Sequence, residues 1–243
     1  LAHRQALHAP MTRTITIAAA QMGPISRSES RGAVVRRLID MMRQAAAMGA
    51  QVVAYPEAAL TAFFPHWWIG DEAELDAWYE REMPGPETMA LFDEARRLQI
   101  GFHLGYCELD NSSGRKRRFN SAILVDRQGV IFGKYRKIHL PGHADHRPAA
   151  SFQNLEKRCF EVGDLGFGAW RAWGGVAGML ICNDRRWPEA FRMLGLQGVE
   201  LVMIGYNTPT LNGQTFEPPH LRATHNTLTM QAVQHIANER EHV

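Results

Sequence analysis

Short apolar strands alternate with amphipathic helical segments in the first part of the chain, and this alternation constrains the fold more than any other feature. Residues 14–20 (TITIAAA) and 51–55 (QVVAY) are apolar runs of strand length. Between them, residues 32–48 carry apolar side chains at helical spacing, and either Ser28 or Ser30 can cap this helix. A strand–helix–strand order of this kind is typical of a layered α/β domain.

The rest of the chain continues this alternation and adds a hairpin. Helices are predicted over residues 87–99, 188–196 and 221–235, and strands over residues 100–107, 119–125, 130–135, 175–181 and 199–206. The strands at 119–125 and 130–135 are joined by the sequence DRQG, which is typical of a hairpin turn. We therefore expect a single α/β domain with a mixed sheet.

Composition is typical of a globular protein and argues against several classes of function. The chain has 243 residues, enough for one full core, of which 45% are hydrophobic and 21% are charged. A net charge of +2 does not favour a nucleic-acid partner, and the apolar runs are too short to span a membrane. The short basic run at residues 115–118 is typical of a solvated loop.

The cysteines and the first residues bear on the cellular environment. Cys107, Cys159 and Cys182 are too few and too widely spaced for a disulfide framework or a Cys-x-x-Cys metal site. Reduced thiols fit a cytoplasmic protein. Residues 1–10 lack the apolar core of a signal peptide, and Met11 resembles a natural start. We expect an N-terminal extension over residues 1–10 and one domain over residues 11–243.

Two charged residues stand where predicted strands end. Glu57 follows the strand at 51–55, and the carboxyl ends of strands are where α/β sheets place their functional sites. Lys137 lies just beyond the strand at 130–135, and strand alternation puts it on the same face as Tyr135 and His139. Taken alone, a surface glutamate and a solvated basic edge strand are the simpler interpretations.

Cys182 is the most informative position in the chain. It ends an apolar strand and lies shortly before Pro188, which suits the first residue of a helix. The cysteine therefore occupies a strand-to-helix turn, as the nucleophile does in a nucleophile elbow. The helix N-terminus and the neighbouring Arg185 and Arg186 are expected to favour the thiolate over the thiol. A buried structural thiol is the alternative, and it is the interpretation given to the other two cysteines.

Together these three segments resemble the nitrilase superfamily of carbon–nitrogen hydrolases. The resemblance is carried by a glutamate after a strand, a Lys-x-x-Lys-x-His-Leu segment and a Cys-x-x-Arg-x-x-Pro-Glu segment, found here at residues 55–57, 134–140 and 182–189. All three occur in the order of the family, and the resemblance runs from about Met11 to Gln231. It implies an α-β-β-α sandwich, no metal or other cofactor, and a homo-oligomer, either a dimer or a tetramer.

Further segments are similar to one branch of the superfamily, the hydrolases of N-carbamoyl-D-amino acids. These segments are residues 59–65, 71–76, 117–120, 135–143, 160–167 and 205–210. Resemblance to this branch implies a small N-carbamoyl amino acid as substrate, with no nucleic-acid or membrane partner. The implied reaction yields the D-amino acid, carbon dioxide and ammonia.

The resemblance also implies roles for individual residues. Cys182 is expected to be the nucleophile, Glu57 the general base, and Lys137 the cation that stabilises the oxyanion. Glu156 and His139 are expected to support these three residues. The residues expected to bind the substrate, including its carboxylate, are Asn183, Arg185, Arg186, Asn207 and Thr208.

The last part of the chain departs from the family. Similarity ends near Gln231, and residues 237–243 (ANEREHV) are polar, whereas members of the family continue with further strands. We therefore expect a domain without its C-terminal strands, which would expose sheet edges and apolar surface. Poor solubility or enlarged oligomers are the expected consequence.

Other functions remain open at this stage. An aliphatic amidase, a β-ureidopropionase or an N-carbamoylputrescine amidase would carry the same three segments, although Arg185 and Arg186 favour an acidic substrate. An inactive, shortened paralogue would instead serve as an interaction module. A nucleic-acid-binding protein is the least favoured alternative because the charge is balanced.

Overall fold

Two mixed β-sheets and five α-helices make up the computed structural model, which describes residues 13–150 and 153–207. The first sheet contains β1 (Ile17–Ala19), β2 (Val52–Ala54), β3 (Gly101–Asp110), β4 (Arg117–Val125) and β5 (Ile131–Arg136). The second sheet contains β6 (Ala169–Ala172), β7 (Gly175–Ile181) and β8 (Leu201–Gly205). The helices are α1 (Arg31–Ala47), α2 (Glu72–Asp76), α3 (Met89–Leu98), α4 (Glu156–Cys159) and α5 (Pro188–Leu196).

Strand directions follow the connections between the strands. The strands β1, β2 and β3 are parallel and are joined through helices, whereas β3, β4 and β5 are antiparallel. In the second sheet, β7 pairs antiparallel with β6 and parallel with β8. The predicted hairpin is confirmed, since the Gly129 amide donates to the Asp126 carbonyl at 3.0 Å at the turn between β4 and β5.

The two sheets pack face to face around an apolar layer. Leu124 and Tyr135 of the first sheet and Met179 and Ile181 of the second are buried in one cluster. Full burial of such a side chain contributes about 1.5–3 kcal/mol. The helices α1 and α3 cover the outer face of the first sheet, and Leu194 of α5 packs against the second. The α/β fold with the helix–sheet–sheet–helix order expected from the sequence is confirmed.

The helix α1 shows how local sequence sets the bounds of an element. Of the two candidate caps, Ser30 is used, because its Oγ accepts a hydrogen bond from the Ala33 amide at 3.3 Å. The helix ends just before Gly49, whose φ of 80° is a conformation that glycine adopts without strain.

The basic run at residues 115–118 is only partly a solvated loop. Arg117 and Arg118 belong to β4, and their side chains are only 18% and 13% exposed. Arg117 pairs with Glu161 and Arg118 with Asp76, both from distant segments. The prediction of a solvated loop is wrong for these two arginines because acidic partners balance their charge.

Three short elements were not predicted from the sequence, and one predicted helix lies outside the described residues. The short elements β6, α2 and α4 were not predicted, because four or five residues carry too little periodicity. The helix predicted over residues 221–235 lies outside the described residues. Within the described ranges, no helix is long and apolar enough to cross a bilayer.

Candidate active site

Glu57 follows the carboxyl end of β2 and lies where the two sheets meet. Gly105 of β3 and Gly205 of β8 approach its backbone so closely that a Cβ on either glycine would lie 2.8 Å from a backbone atom of Glu57. Both positions therefore require glycine. Ala58, the next residue, has a φ of 48°, so the chain turns sharply after Glu57.

Glu57, Lys137 and Glu156 form a buried ion cluster. Lys137 Nζ donates to Glu57 Oε1 at 2.7 Å and to Glu156 Oε2 at 2.6 Å. The side chains of the three residues are between 0% and 2% exposed. One cation thus lies between two carboxylates in a place that water does not reach, and each charge depends on the others for its stability.

Asn120 joins this cluster, although the sequence-based reasoning did not assign it to the site. Its Nδ2 donates to Glu57 Oε1 at 2.7 Å, and its carbonyl accepts from the Lys137 amide at 2.8 Å. Asn120 therefore positions both the carboxylate and the backbone of the lysine. Asn120 is fully buried on β4 beside the apolar residues 122–125, and its position in a predicted strand was the signal available in the sequence.

Burial and charge act in opposite directions on the ionisation of the cluster. Burial by itself would lower the pKa of Lys137, but Glu57 and Glu156 outweigh it and raise that pKa well above its usual value. Burial raises the pKa of Glu156 to about 7, with Lys137 opposing this shift and Glu57 adding to it. The lysine is therefore charged, and Glu156 exchanges its proton near neutral pH.

The variant Glu156→Gln is expected to change how stability depends on pH. The pKa of Glu156 is raised from 4.5 to about 7 on folding, so its contribution is complete below the lower value and is lost as the pH rises through the higher one. Wild type should therefore lose up to about 3 kcal/mol of unfolding free energy between about pH 4.5 and pH 8 that the variant retains. Urea unfolding at both pH values tests this, with the exposed Glu189→Gln as control. A pH-independent difference between variant and wild type would contradict it.

Cys182 lies on the strand-to-helix turn that the sequence predicted. It follows β7 directly and begins a 3-10 helix over Cys182–Arg186, which leads into α5. Its φ of 48° lies in the left-handed region that residues other than glycine rarely adopt. Such a strained turn projects the side chain away from the strand and is a feature of nucleophile elbows.

Asp184 holds this turn in place, and the sequence-based reasoning assigned it no role. Its Oδ2 accepts from the Ile181 amide at 3.0 Å and from the Tyr135 hydroxyl at 2.8 Å. Its Oδ1 accepts from the His139 amide at 2.9 Å and lies 2.9 Å from His139 Nδ1. Asp184 is fully buried and ties the end of β7 to the segment that carries Lys137.

The variant Asp184→Asn is expected to destabilise the protein by about 2–3 kcal/mol, since an amide group would face donors that now meet a charged acceptor. Tyr135→Phe removes a single donor from the same aspartate and should cost only about 1 kcal/mol. Chemical unfolding of both variants measures the two values. Equal stability of the two variants would show that the charge of Asp184 does not hold the turn.

The surroundings of Cys182 do not favour the thiolate. Burial raises the pKa of the thiol to about 12, the negative charge of Glu57 adds to this, and Lys137 and Arg185 counteract only part of it. Arg185 favours the thiolate, as expected from the sequence, but burial and Glu57 outweigh it in the protein without substrate. A thiol of this kind must lose its proton to a base as it attacks.

The two arginines expected to bind a carboxylate lie in different environments. Arg185 is buried, donates from Nη1 to the Cys182 carbonyl at 2.6 Å and places its guanidinium carbon 4.3 Å from the centre of the Tyr206 ring. Arg186 is exposed. The positive charge near the nucleophile thus comes from the buried guanidinium of Arg185 and the exposed guanidinium of Arg186.

Two of the amides expected to line the pocket anchor the loops of the site. Asn183 donates to the His139 carbonyl at 3.1 Å, and Asn207 donates to the Glu57 carbonyl at 2.9 Å. Thr208 lies outside the described residues. In the described part of the chain, no group of three or more His, Cys, Asp or Glu side chains is arranged to hold a metal ion.

Curated relatives match the sequence of this chain over most of its length. The carbon-nitrogen hydrolase family model matches residues 16–238. N-carbamoylputrescine amidase of Solanum lycopersicum is 26% identical over 197 residues, covering 80% of this chain and 59% of the relative. A nitrilase of Pyrococcus abyssi is 32% identical over 162 residues, covering 67% of this chain and 54% of the relative. The chain therefore spans little more than half the length of these relatives.

A solved structure supports the same fold. The carbon-nitrogen hydrolase of Helicobacter pylori G27 superposes with a TM-score of 0.72, covering 92% of this chain and 69% of that chain at 20% identity. At that identity the likeness concerns the fold alone. Because the family model extends over nearly the whole chain, this protein belongs to the carbon-nitrogen hydrolase family.

Proposed function

We propose that this protein hydrolyses amide-type carbon–nitrogen bonds through a covalent intermediate on Cys182. One observation carries the proposal. The thiol lies on a strained turn, close enough to the buried Glu57–Lys137–Glu156 cluster for Glu57 to raise its pKa and for Lys137 to lower it. A nucleophile, a carboxylate base and a fixed cation are the three groups that acyl transfer requires.

The first step follows from the protonated state of the thiol. Glu57 uses Oε1 to accept from Lys137 and Asn120, and its second carboxylate oxygen takes the proton of Cys182. The sulfur then bonds to the carbonyl carbon of the substrate, and the carbonyl electron pair moves onto oxygen. Lys137 stabilises this oxyanion, an interaction of about 3 kcal/mol when one such donor is removed.

Collapse of the tetrahedral intermediate breaks the carbon–nitrogen bond. The leaving nitrogen takes the proton held by Glu57 and departs as a neutral amine or ammonia, and the carbonyl carbon stays attached to sulfur. Glu57, ionised again, then removes a proton from a water molecule that attacks this carbon. Release of the thiol with that proton restores the starting state, so every proton is accounted for by one carboxylate.

The substrate that we propose is an N-carbamoyl-D-amino acid. Arg185 and Arg186 bring positive charge near the nucleophile, which suits the carboxylate of such a substrate. The name of the tomato relative specifies another N-carbamoyl compound, which favours a ureido group at the reacting centre. We further propose that the active form is a homo-oligomer that binds this small molecule and neither nucleic acid nor membrane.

A second candidate is the hydrolysis of an N-carbamoyl amine such as N-carbamoylputrescine. The tomato relative favours it, since the match covers 80% of this chain. The two arginines count against it, because a cationic substrate would approach like charges.

Ammonia release from three compounds tests the proposal. The full chain is incubated with N-carbamoyl-D-phenylalanine, its L-enantiomer and N-carbamoylputrescine. Release from the D-enantiomer alone is expected. Release mainly from N-carbamoylputrescine would favour the second candidate. No release from any of the three, in a protein that melts cooperatively, would overturn both.

A further inference from the structure

A small apolar pocket opens beside the segment that carries Glu57. Its volume is about 270 Å³, just below the roughly 300–1,000 Å³ of sites that hold a whole drug-sized ligand. Ile25, Ala62, Phe63 and Trp67 supply much of its wall. A cavity of this size and chemistry suits one side chain of a substrate and not the entire molecule.

The walls of this pocket are held in place by contacts outside it. Arg37 of α1 donates to the Met22 carbonyl at 2.6 Å and to the Pro24 carbonyl at 3.2 Å, which fixes the loop after β1. On the other wall, the guanidinium carbon of Arg27 lies 5.1 Å from the centre of the Trp67 ring. The pocket is therefore formed before any ligand binds, which reduces the entropy that binding must overcome.

The position of the pocket connects it to the proposed nucleophile. The residues on both sides of Glu57 line it, and so does Asn207. Asn207 follows β8, whose last residue, Gly205, pairs with Ile181, the residue immediately before Cys182. Asn207, at the rim of the pocket, therefore follows a strand that lies beside the strand leading to Cys182.

The charge of the lining determines which side chains the pocket accepts. Within the described part of the chain, no Asp, Glu, Lys or Arg side chain lines it. His66 is the titratable lining residue, and burial lowers its pKa, with Glu57 opposing the shift. A cationic group placed here would lose its hydration without gaining a carboxylate partner, whereas an aromatic ring would gain apolar contact.

We infer that this pocket binds an aromatic side chain of the substrate and discriminates against cationic side chains. The inference rests on the proposed function and refines it, because it places N-carbamoyl amino acids with aromatic side chains ahead of those with aminoalkyl chains.

Three substrates that share one reacting group distinguish a failure of the pocket inference from a failure of the proposed function. The kcat/KM values are measured for N-carbamoylglycine, N-carbamoyl-D-phenylalanine and N-carbamoyl-D-lysine. Wild type is expected to prefer the phenylalanine derivative over the other two by about 10- to 100-fold, the range for an apolar contact of this size. Turnover of all three at similar rates would overturn the inference while the proposed function stands. Turnover of none would overturn the proposed function itself.

Adjacent tryptophans provide a matched pair of variants. Trp67 lines the pocket, whereas Trp68 is stacked on His146 outside it, with ring centres 4.4 Å apart. Trp67→Ala is expected to reduce the phenylalanine-to-glycine ratio of kcat/KM about tenfold, and Trp68→Ala should leave it unchanged. A ratio that falls equally in both variants would overturn the inference.

A gain of function provides evidence that does not depend on the stability of the tryptophan variants. Ile25→Asp places a carboxylate on the wall of the pocket, and the lysine-to-glycine ratio is expected to rise about tenfold as the cationic chain gains a partner. An unchanged ratio in a folded Ile25→Asp protein would show that the side chain binds elsewhere.

Discussion

Cys182→Ala is expected to lower the rate of ammonia release by at least about 10,000-fold, because loss of a nucleophile removes the covalent route altogether. The fold should persist, since the backbone bonds of the turn and the contacts of Asp184 do not involve the thiol. Ammonia release and thermal melting measure the two properties. Cys159→Ala is the matched control, because that thiol is buried in a separate apolar cluster and should be dispensable for turnover. Retention of even a hundredth of the activity by Cys182→Ala would contradict the assignment.

The raised pKa of Cys182 predicts a second signature of the same residue. With the thiol pKa at about 12, alkylation by iodoacetamide should be slow at neutral pH and should still be accelerating above about pH 9. A thiolate stabilised by the arginines would instead show a rate that levels off below about pH 8. Labelling of Cys182 followed by mass spectrometry decides between these two profiles.

Lys137→Met is expected to have the largest effect on stability, a loss of about 3–5 kcal/mol. The substitution preserves much of the side-chain volume but leaves the carboxylates of Glu57 and Glu156 buried without their cation. Turnover by Lys137→Met should also fall, by a factor of about 100 to 1,000 relative to wild type, which is the effect of removing one oxyanion donor. Urea unfolding and ammonia release measure the two effects separately.

A double variant tests whether this effect comes from the buried charges. At an alkaline pH at which Glu156 is ionised, adding Glu156→Gln to Lys137→Met removes one of the two uncompensated carboxylates, so stability should recover by more than about 1 kcal/mol relative to the single lysine variant. Lys157→Met, at an exposed lysine next to Glu156, is the control and should change stability by no more than about 0.5 kcal/mol. Simple additivity of the two single variants would contradict a coupled cluster.

Local sequence patterns were sufficient to predict the bounds of the elements that carry Cys182. The bounds predicted for β7 and α5, residues 175–181 and 188–196, agree with the structure to the residue. An apolar run that ends at Cys182 and a proline suited to the first helical position define those bounds without reference to the rest of the chain. The same holds for α1, where the capping serine lies next to the first helical turn.

Contacts between segments that are distant in the sequence decided how the site residues are brought together. Lys137 and Glu57 are 80 positions apart in the sequence. Their 2.7 Å contact exists because the carboxyl ends of β5 and β2 lie at the same end of one sheet. The close approach of Gly105 and Gly205 to Glu57 likewise requires both sheets to be in place.

The sequence by itself therefore determined the longer elements and placed Glu57, Lys137 and Cys182 at the ends of strands. Periodicity, capping and turn chemistry depend only on neighbours along the chain. The tertiary structure alone decided that Asn120 and Asp184 belong to the site and that the pKa of the Cys182 thiol is raised. Burial and the charges that surround a group set its pKa, and both arise only when the two sheets pack together.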